Sequence, residues 1–368
     1  MLPRTSHLVA KPLNWQRNLR NIRAKISIAL VIVSAMPWII SLPPPPSSSH
    51  DNVRHGLIYV ISGNPGCIAY YDKFLNTLST LVSPLAEDVA FHIYGKDLAG
   101  FSDDEREPFS RANPPFDVED QIGIVSRDIA SQRIGTHPTR EGQPFDLVIL
   151  VGHSVGAYIA LEIFDRHMRD PSGAPHLKLQ HGILLFPTVT DIAQSPAGKR
   201  LDLMRTRPWL GRVVEGVVHG FLALQFRGVL RWIVRNVLGF SPEAAQVTAR
   251  FLKSRNAVFQ ALYMGKDEMR VIADDNWPDE LWESSPEKDF RESDVPKFFF
   301  FFGRKDHWVS NPRRDEFIKR RRSHAKGRTR IVIDEGNLRH GFCTRDESSI
   351  IVAGTVSVWI AEIAKGFS

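Results

Sequence analysis

From residue 53 onward, apolar runs of strand length alternate along the chain with stretches of helical period. Gly56–Ile61, Asp88–Tyr94, Phe145–Val151, Gly182–Phe186, Lys297–Phe302 and Thr329–Ile333 are short and rich in β-branched or aromatic residues, which suits strands buried on both faces. Between them, Ile68–Leu81, residues 117–134 (Val118, Ile122, Val125 and Ile129 at helical spacing), Ala157–His167, Asn311–Arg322 and Ser348–Ala364 read as helices. Such alternation predicts a mostly parallel sheet with helices on both faces. Functional residues then belong at the carboxyl ends of the strands. Little chain precedes residue 56, so the sheet is expected to be short at that edge.

One long interruption breaks the pattern. Residues 187–295 hold several helical patterns and no clear strand, and a connection of that length reads as an inserted helical cap. Its middle, Trp209–Phe240, mixes large apolar residues such as Phe221, Leu224, Trp232 and Leu238 with Arg212, Arg227, Arg231 and Arg235. Two readings fit: a helix packed on the core, or a basic amphipathic surface resting on a phospholipid monolayer. They are compatible if each face does one job.

The chain before residue 53 is different. Residues 26–42, ISIALVIVSAMPWIISL, are uncharged and apolar and follow Arg17, Arg20, Arg23 and Lys25. The run is at the short limit for crossing a bilayer and contains Pro37. A signal anchor, a monotopic hook, a cleaved signal peptide and a mis-joined exon compete, and the membrane-seated anchor or hook is favoured because no small-residue cleavage site follows. Pro43–Pro46 and Ser47–Ser49 then make a stiff linker. The expected organisation is a membrane-associating segment and linker over 1–50, a core over 51–186 and 296–368, and the cap over 187–295.

The chemistry is carried by the stretch FDLVILVGHSVGAYIALEI, residues 145–163. Strand, G-x-S-x-G and helix follow one another directly, which is the context a nucleophile elbow needs. Ser154 is the candidate nucleophile. A serine hydroxyl needs a base, and the base needs an acid to orient it. Asp306 lies just past Lys297–Phe302, and His340 lies in the loop between Thr329–Ile333 and the last helix. Each sits where its role requires, in the chain order serine, acid, histidine. His153, His307, Asp191 and Asp334 are the weaker candidates, with His153 read as structural. An oxyanion needs backbone donors. Val155 N–H is one, and the turn Ser62-Gly63-Asn64-Pro65-Gly66 after the first core strand supplies the other, best from Asn64 because Pro65 has no N–H.

Charge and cysteine content narrow the class. The net charge is +6, and residues 1–50 contain Arg4, Lys11, Arg17, Arg20, Arg23 and Lys25 with no acid, so the remainder is neutral (+6 − 6 = 0). No basic field for nucleic acid results, and no zinc spacing, phosphate loop or RNA-binding signature is present. No metal, cofactor or protein partner is implied. With 2 cysteines, Cys67 and Cys343, and no glycosylation sequon, the folded part reads as facing a reducing cytosol.

With these blocks in place, the chain resembles the lipid droplet-associated hydrolase family of the α/β-hydrolase superfamily. The resemblance rests on SGNPG with Tyr70, Tyr71 and Phe74, on VGHSVGAYIALEI, LFPTVTDIAQSPAGKRL, ALYMGKDEMRVIADDNW, FFGRKDHWV and DEGNLRHGFC. It implies an α/β-hydrolase fold with an inserted helical cap and a triad of Ser154, Asp306 and His340. It also implies a serine hydrolase acting on sterol esters or acylglycerols at the cytosolic surface of lipid droplets and the endoplasmic reticulum. The alternative is a droplet-surface organising protein whose pocket is vestigial. Residues 1–50 depart from the family pattern.

Overall fold

The computed structural model describes residues 39–45, 53–87, 89–102, 107–135, 137–200, 227–273, 275, 277–282, 296–324 and 329–366, and elements are numbered within them. The strands are β1 (Ile39–Leu42), β2 (Arg54–Ile61), β3 (Val89–Lys96), β4 (Leu147–His153), β5 (Leu179–Leu185), β6 (Lys297–Gly303) and β7 (Arg330–Asp334). They form a 7-stranded sheet in the order β1-β3-β2-β4-β5-β6-β7. β1 pairs antiparallel with β3, and every other pairing is parallel. The helices of the core are α1 (Asp72–Val82), α2 (Val118–Ser131) and α3 (Val155–Arg169), then α7 (Asn311–His324) and α8 (Asp346–Lys365) after the cap.

Apolar sequence explains the layering. All seven positions of β4 are buried, as a central parallel strand covered on both faces demands. In β6, Phe298 and Phe300 pack against Phe164 of α3, Trp282 and Phe317 of α7, while Phe299 and Phe301 meet Trp359 of α8. Five successive phenylalanines therefore serve two cores, alternating by the strand period. α8 is long and apolar enough to cross a membrane, but Val352, Val356, Trp359, Ile360 and Ile363 are buried in the protein, and the helix packs on α1. It is a core helix.

The structure corrects the reading of the N-terminal edge. Ile39–Leu42, the end of the apolar run, is an edge strand with Ile40 buried, in register from Ile39 opposite Lys96 to Leu42 opposite Ile93. The sheet is not short there, and the described fold includes residues 39–42, ahead of the expected start near residue 53. A short apolar run has the same composition whether it enters lipid or a sheet, so pattern could not separate the two. Prolines from Pro43 onward, which have no N–H to donate, stop the pairing. The rest of the run, residues 26–38, lies outside the described residues.

Within 187–295 the described residues hold a helical stretch at 196–200, α4 (Arg227–Asn236), α5 (Pro242–Phe251), α6 (Ala257–Val271) and short 3₁₀ turns, with no strand. Of Trp209–Phe240, residues 209–226 lie outside the described residues. In the remainder Leu230 and Val234 are buried, whereas Trp232, Val237 and Leu238 are exposed.

Removing β1 uncovers the edge of β3 and the pocket filled by Ile40, worth about 1.5–3 kcal/mol for one fully buried aliphatic side chain. A chain of residues 51–368 is therefore expected to melt at a lower temperature than one of residues 38–368, and to self-associate through the open edge. Differential scanning fluorimetry and light scattering check this, and equal melting points would show that β1 is dispensable.

Candidate active site

Ser154 sits between β4 and α3 with φ 55° and ψ −124°, a conformation that non-glycine residues seldom adopt. Its neighbours make the turn possible. A methyl on Gly152 would lie 2.3 Å from the Gly156 carbonyl oxygen, and one on Gly156 would lie 2.3 Å from the Ile61 carbonyl oxygen. Only glycine fits either place. The turn lifts the serine over the carboxyl edge of the sheet and leaves Val155 N–H as the first of α3, a position without an acceptor inside the helix.

The loops after β6 and β7 bring the expected partners to it. His340 Nε2 lies 2.8 Å from Ser154 Oγ, and His340 Nδ1 lies 2.7 Å from Asp306 Oδ2. Asp306 Oδ1 accepts from Trp308 N–H at 2.8 Å. All three side chains are buried. Burial alone would push the Asp306 carboxyl up, but the His340 ring, its hydrogen bond and the Trp308 N–H together hold it below the ordinary carboxylate range. An ionised Asp306 can only accept, so His340 carries its proton on Nδ1 and presents a lone pair on Nε2 to the serine hydroxyl. This arrangement can take a proton from Ser154 as a bond forms at Oγ and return it to a leaving group.

Beneath the relay runs a second chain of hydrogen bonds. His153 Nε2 lies 2.9 Å from the His340 carbonyl oxygen, which can only accept, so Nε2 carries the proton. Nδ1 then accepts from the Tyr71 hydroxyl at 2.6 Å, and the Tyr71 oxygen accepts from Gly63 N–H at 2.9 Å. One direction of donation is fixed throughout. Burial, reinforced by the nearby His340, lowers His153 to about 3, so the ring stays neutral. Phe342 and Phe186 close the floor, stacked with centroids 5.5 Å apart and each edge-on to His153.

The same bonds bear on the turn after β2. Gly63 packs so closely that a methyl there would lie 3.0 Å from Ser154 Cβ, and its N–H is committed to Tyr71. Asn64 carries the next N–H, and Pro65 has none. The Asn64 side-chain amide donates to the Ala261 carbonyl and to Glu268 Oε1 of α6, both at 2.9 Å. Glu268 is buried, which raises its pKa to about 7 against the opposing Asn64 hydrogen bond.

The weaker candidates lie elsewhere. Asp191 Oδ2 pairs with Arg313 Nε at 2.7 Å, and Asp334 Oδ2 accepts from Leu338 N–H at 3.2 Å, shaping the loop ahead of His340. The His307 ring centroid is 6.1 Å from that of His340, and its pKa is lowered by burial first and by His340 second. His153 takes the structural place expected of it. Sequence reasoning noted Tyr71 only as part of the family resemblance and gave no site role to Tyr71, Phe186, Phe342 or Glu268. Tyr71 and Glu268 come from segments 82 and 204 residues from their partners His153 and Asn64, which only the fold brings near.

Replacing Tyr71 by Phe leaves the Gly63 N–H and His153 Nδ1 without these partners in a buried site. A buried unpaired polar group costs about 1–3 kcal/mol. Tyr71→Phe is expected to lower unfolding stability by about that amount in denaturant titration, and a loss below about 0.5 kcal/mol would show the chain of bonds to be dispensable.

Comparison with known proteins places this geometry. A profile of the family described as lipid-droplet associated hydrolase matches residues 54–343. The lipid droplet-associated hydrolase of Mus musculus is 26% identical over 266 residues, 68% of this chain and 70% of the mouse protein. That of Gallus gallus is 25% identical over 325 residues, 84% of this chain and 86% of its own length. Among solved structures, the peroxisomal alpha-beta-hydrolase Lpx1 of Saccharomyces cerevisiae superposes with a TM-score of 0.55 at 14% identity, covering 89% of this chain and 81% of its own. An epoxide hydrolase of Vigna radiata does so with 0.51 at 14% identity, covering 89% and 94%. These likenesses speak to fold. The chain has the α/β-hydrolase fold and belongs to the lipid-droplet associated hydrolase family.

Proposed function

We propose that this protein is a serine hydrolase that cleaves lipid esters, sterol esters or acylglycerols, through an acyl-enzyme on Ser154. The observation that carries the reading is the hydrogen-bonded relay of Ser154, His340 and Asp306 beneath a strained elbow. Ser154 Oγ attacks the ester carbonyl while His340 Nε2 takes its proton, and Asp306 stabilises the imidazolium. The negative charge on the carbonyl oxygen is received by Val155 N–H and Asn64 N–H. His340 then protonates the departing alcohol. Water, activated by the same histidine, attacks the acyl-enzyme, and its proton passes through His340 back to Ser154. A purely organising role for the protein would give no reason to hold Ser154 at a positive φ, a strain of about 1–3 kcal/mol.

The setting is the lipid droplet surface and the cytosol-facing endoplasmic reticulum membrane. The family description and the names of the mouse and chicken relatives support the droplet part of this setting. So does the outward face of the cap, where Trp232, Val237 and Leu238 stand exposed beside Arg231 and Arg235 on and just after α4, and Phe259 and Leu262 stand exposed on α6. Such a surface gains about 25 cal/mol per Å² of apolar area buried in lipid and about 1 kcal/mol per arginine near anionic headgroups.

Two experiments test these assignments. Ser154→Ala, Asp306→Asn and His340→Ala are each expected to remove most ester turnover, by several orders as in other triads, and combining them should add little. A fluorophosphonate probe should label the wild type and not Ser154→Ala, and persistent turnover above about a tenth in Ser154→Ala would reject the mechanism. For attachment, Trp232→Glu combined with Leu238→Glu in the full chain should leave the melting point unchanged and reduce coating of droplets in lipid-loaded cells. Undiminished coating would exclude this face of the cap.

A further inference from the structure

The turn after β2 is pinned to the core at both flanks and to the cap at its apex. Gly63 N–H donates to the Tyr71 hydroxyl on one side, and the Gly66 carbonyl accepts from Leu98 N–H at 2.9 Å on the other. Asn64, between them, sends its side chain to α6. Both hydrogens of its amide are spent there, on the Ala261 carbonyl and on Glu268 Oε1. Ala261 and Glu268 are seven residues apart, two helical turns, and so share one face. Gly265 lies between them, and a methyl there would reach to 3.4 Å from the amide nitrogen. The three residues make a seat for one amide group.

Stability does not account for Glu268. It is 5% exposed, and no Lys or Arg pairs with it among the described residues. A carboxylate buried without a cation is unfavourable. Its Oε1 does make a well-placed acceptor for the amide, at 2.9 Å from the Asn64 nitrogen.

We propose that Glu268 is a positioning residue. Through the Asn64 side chain, it holds the Asn64 backbone N–H toward the oxyanion formed at Ser154, so that the docking of the cap sets the rate of the chemical step. This rests on the reading of Asn64 N–H as an oxyanion donor. The rest of α6 serves the same docking. Gln260 Oε1 accepts from Phe116 N–H at 3.0 Å, its Nε2 donates to the Phe116 carbonyl at 2.7 Å, and Asp267 Oδ2 accepts from Val118 N–H at 3.1 Å.

The test uses the full chain and a fluorophosphonate probe. Ser154 Oγ displaces fluoride at phosphorus, one P–O bond forming as the P–F bond breaks, and the serine proton passes to His340. The phosphoryl oxygen gathers charge in that step and calls on the same donors. Loss of one oxyanion donor typically costs about 10²–10³-fold, and misplacing one should cost less. Glu268→Ala and Asn64→Ala are each expected to lower the limiting labelling rate about ten- to a hundredfold, with the half-saturating probe concentration changed less than about threefold. The double variant should be no slower than the worse single one. Glu268→Gln, which keeps a carbonyl acceptor in place, should recover most of the rate. A lowered melting point with an unchanged limiting rate in both single variants would overturn the proposal, and so would multiplicative losses in the double variant. If the wild type itself is not labelled at Ser154, the hydrolase reading falls first, and the proposal with it.

Discussion

Two absent methyl groups set the geometry of the site. Gly152 and Gly156 allow the backbone of α3 to lie against β4 and against the end of β2 at distances that any side chain would forbid. The second contact does more than form the elbow. Its partners are the carbonyls of Ile61 and Ser62, the residues that lead directly into the turn holding Asn64. One close approach therefore fixes the height of Ser154 above the sheet and its distance from the neighbouring turn. The unfavourable φ of Ser154 persists because β4 and α3 are buried around it and cannot relax.

Hydrogen bonds of fixed direction hold the remaining parts to that frame. The His340 carbonyl accepts from both Phe342 N–H and the ring of His153, so the backbone of His340 is anchored by the residue immediately before Ser154. With its pKa lowered to about 3, His153 does not change charge in the neutral range, and its support is the same whether His340 is charged or not. In the proposed reaction the Ser154 proton therefore passes to His340, while the neighbouring His153 is held as a fixed donor.

Much of this was legible in the sequence because it depends on local order. Strand, elbow and helix are contiguous, and the acid and histidine follow strands whose composition is unmistakable, so Ser154, Asp306 and His340 could be picked out from position alone. The rest depends on contacts across the chain. Tyr71 meets His153 from 82 residues away, and Asn64 meets Glu268 from 204 residues away, separations at which no pattern in a single sequence carries information. β1 was missed for another reason. Its four residues have a composition common to lipid-facing and sheet-forming segments, and the pairing partner β3 alone distinguishes them.

α6 shows where reading apolar as inside fails. Gln260 and Glu268 point into the protein, while Phe259 and Leu262 are 55% and 67% exposed. Beside the buried Ala257 and Met264, the inner face of this helix carries polar side chains because it lies on loop backbone, at Asn64 and Phe116, whose groups need polar partners. Gln260 even enters the space left by Gly100, whose φ of +86° and missing side chain admit the amide. A helix so held gains specificity of placement from the polar groups of its inner face, alongside the burial of Ala257 and Met264. Its outer face leaves Phe259 and Leu262 exposed, as the lipid contact proposed for the cap would require.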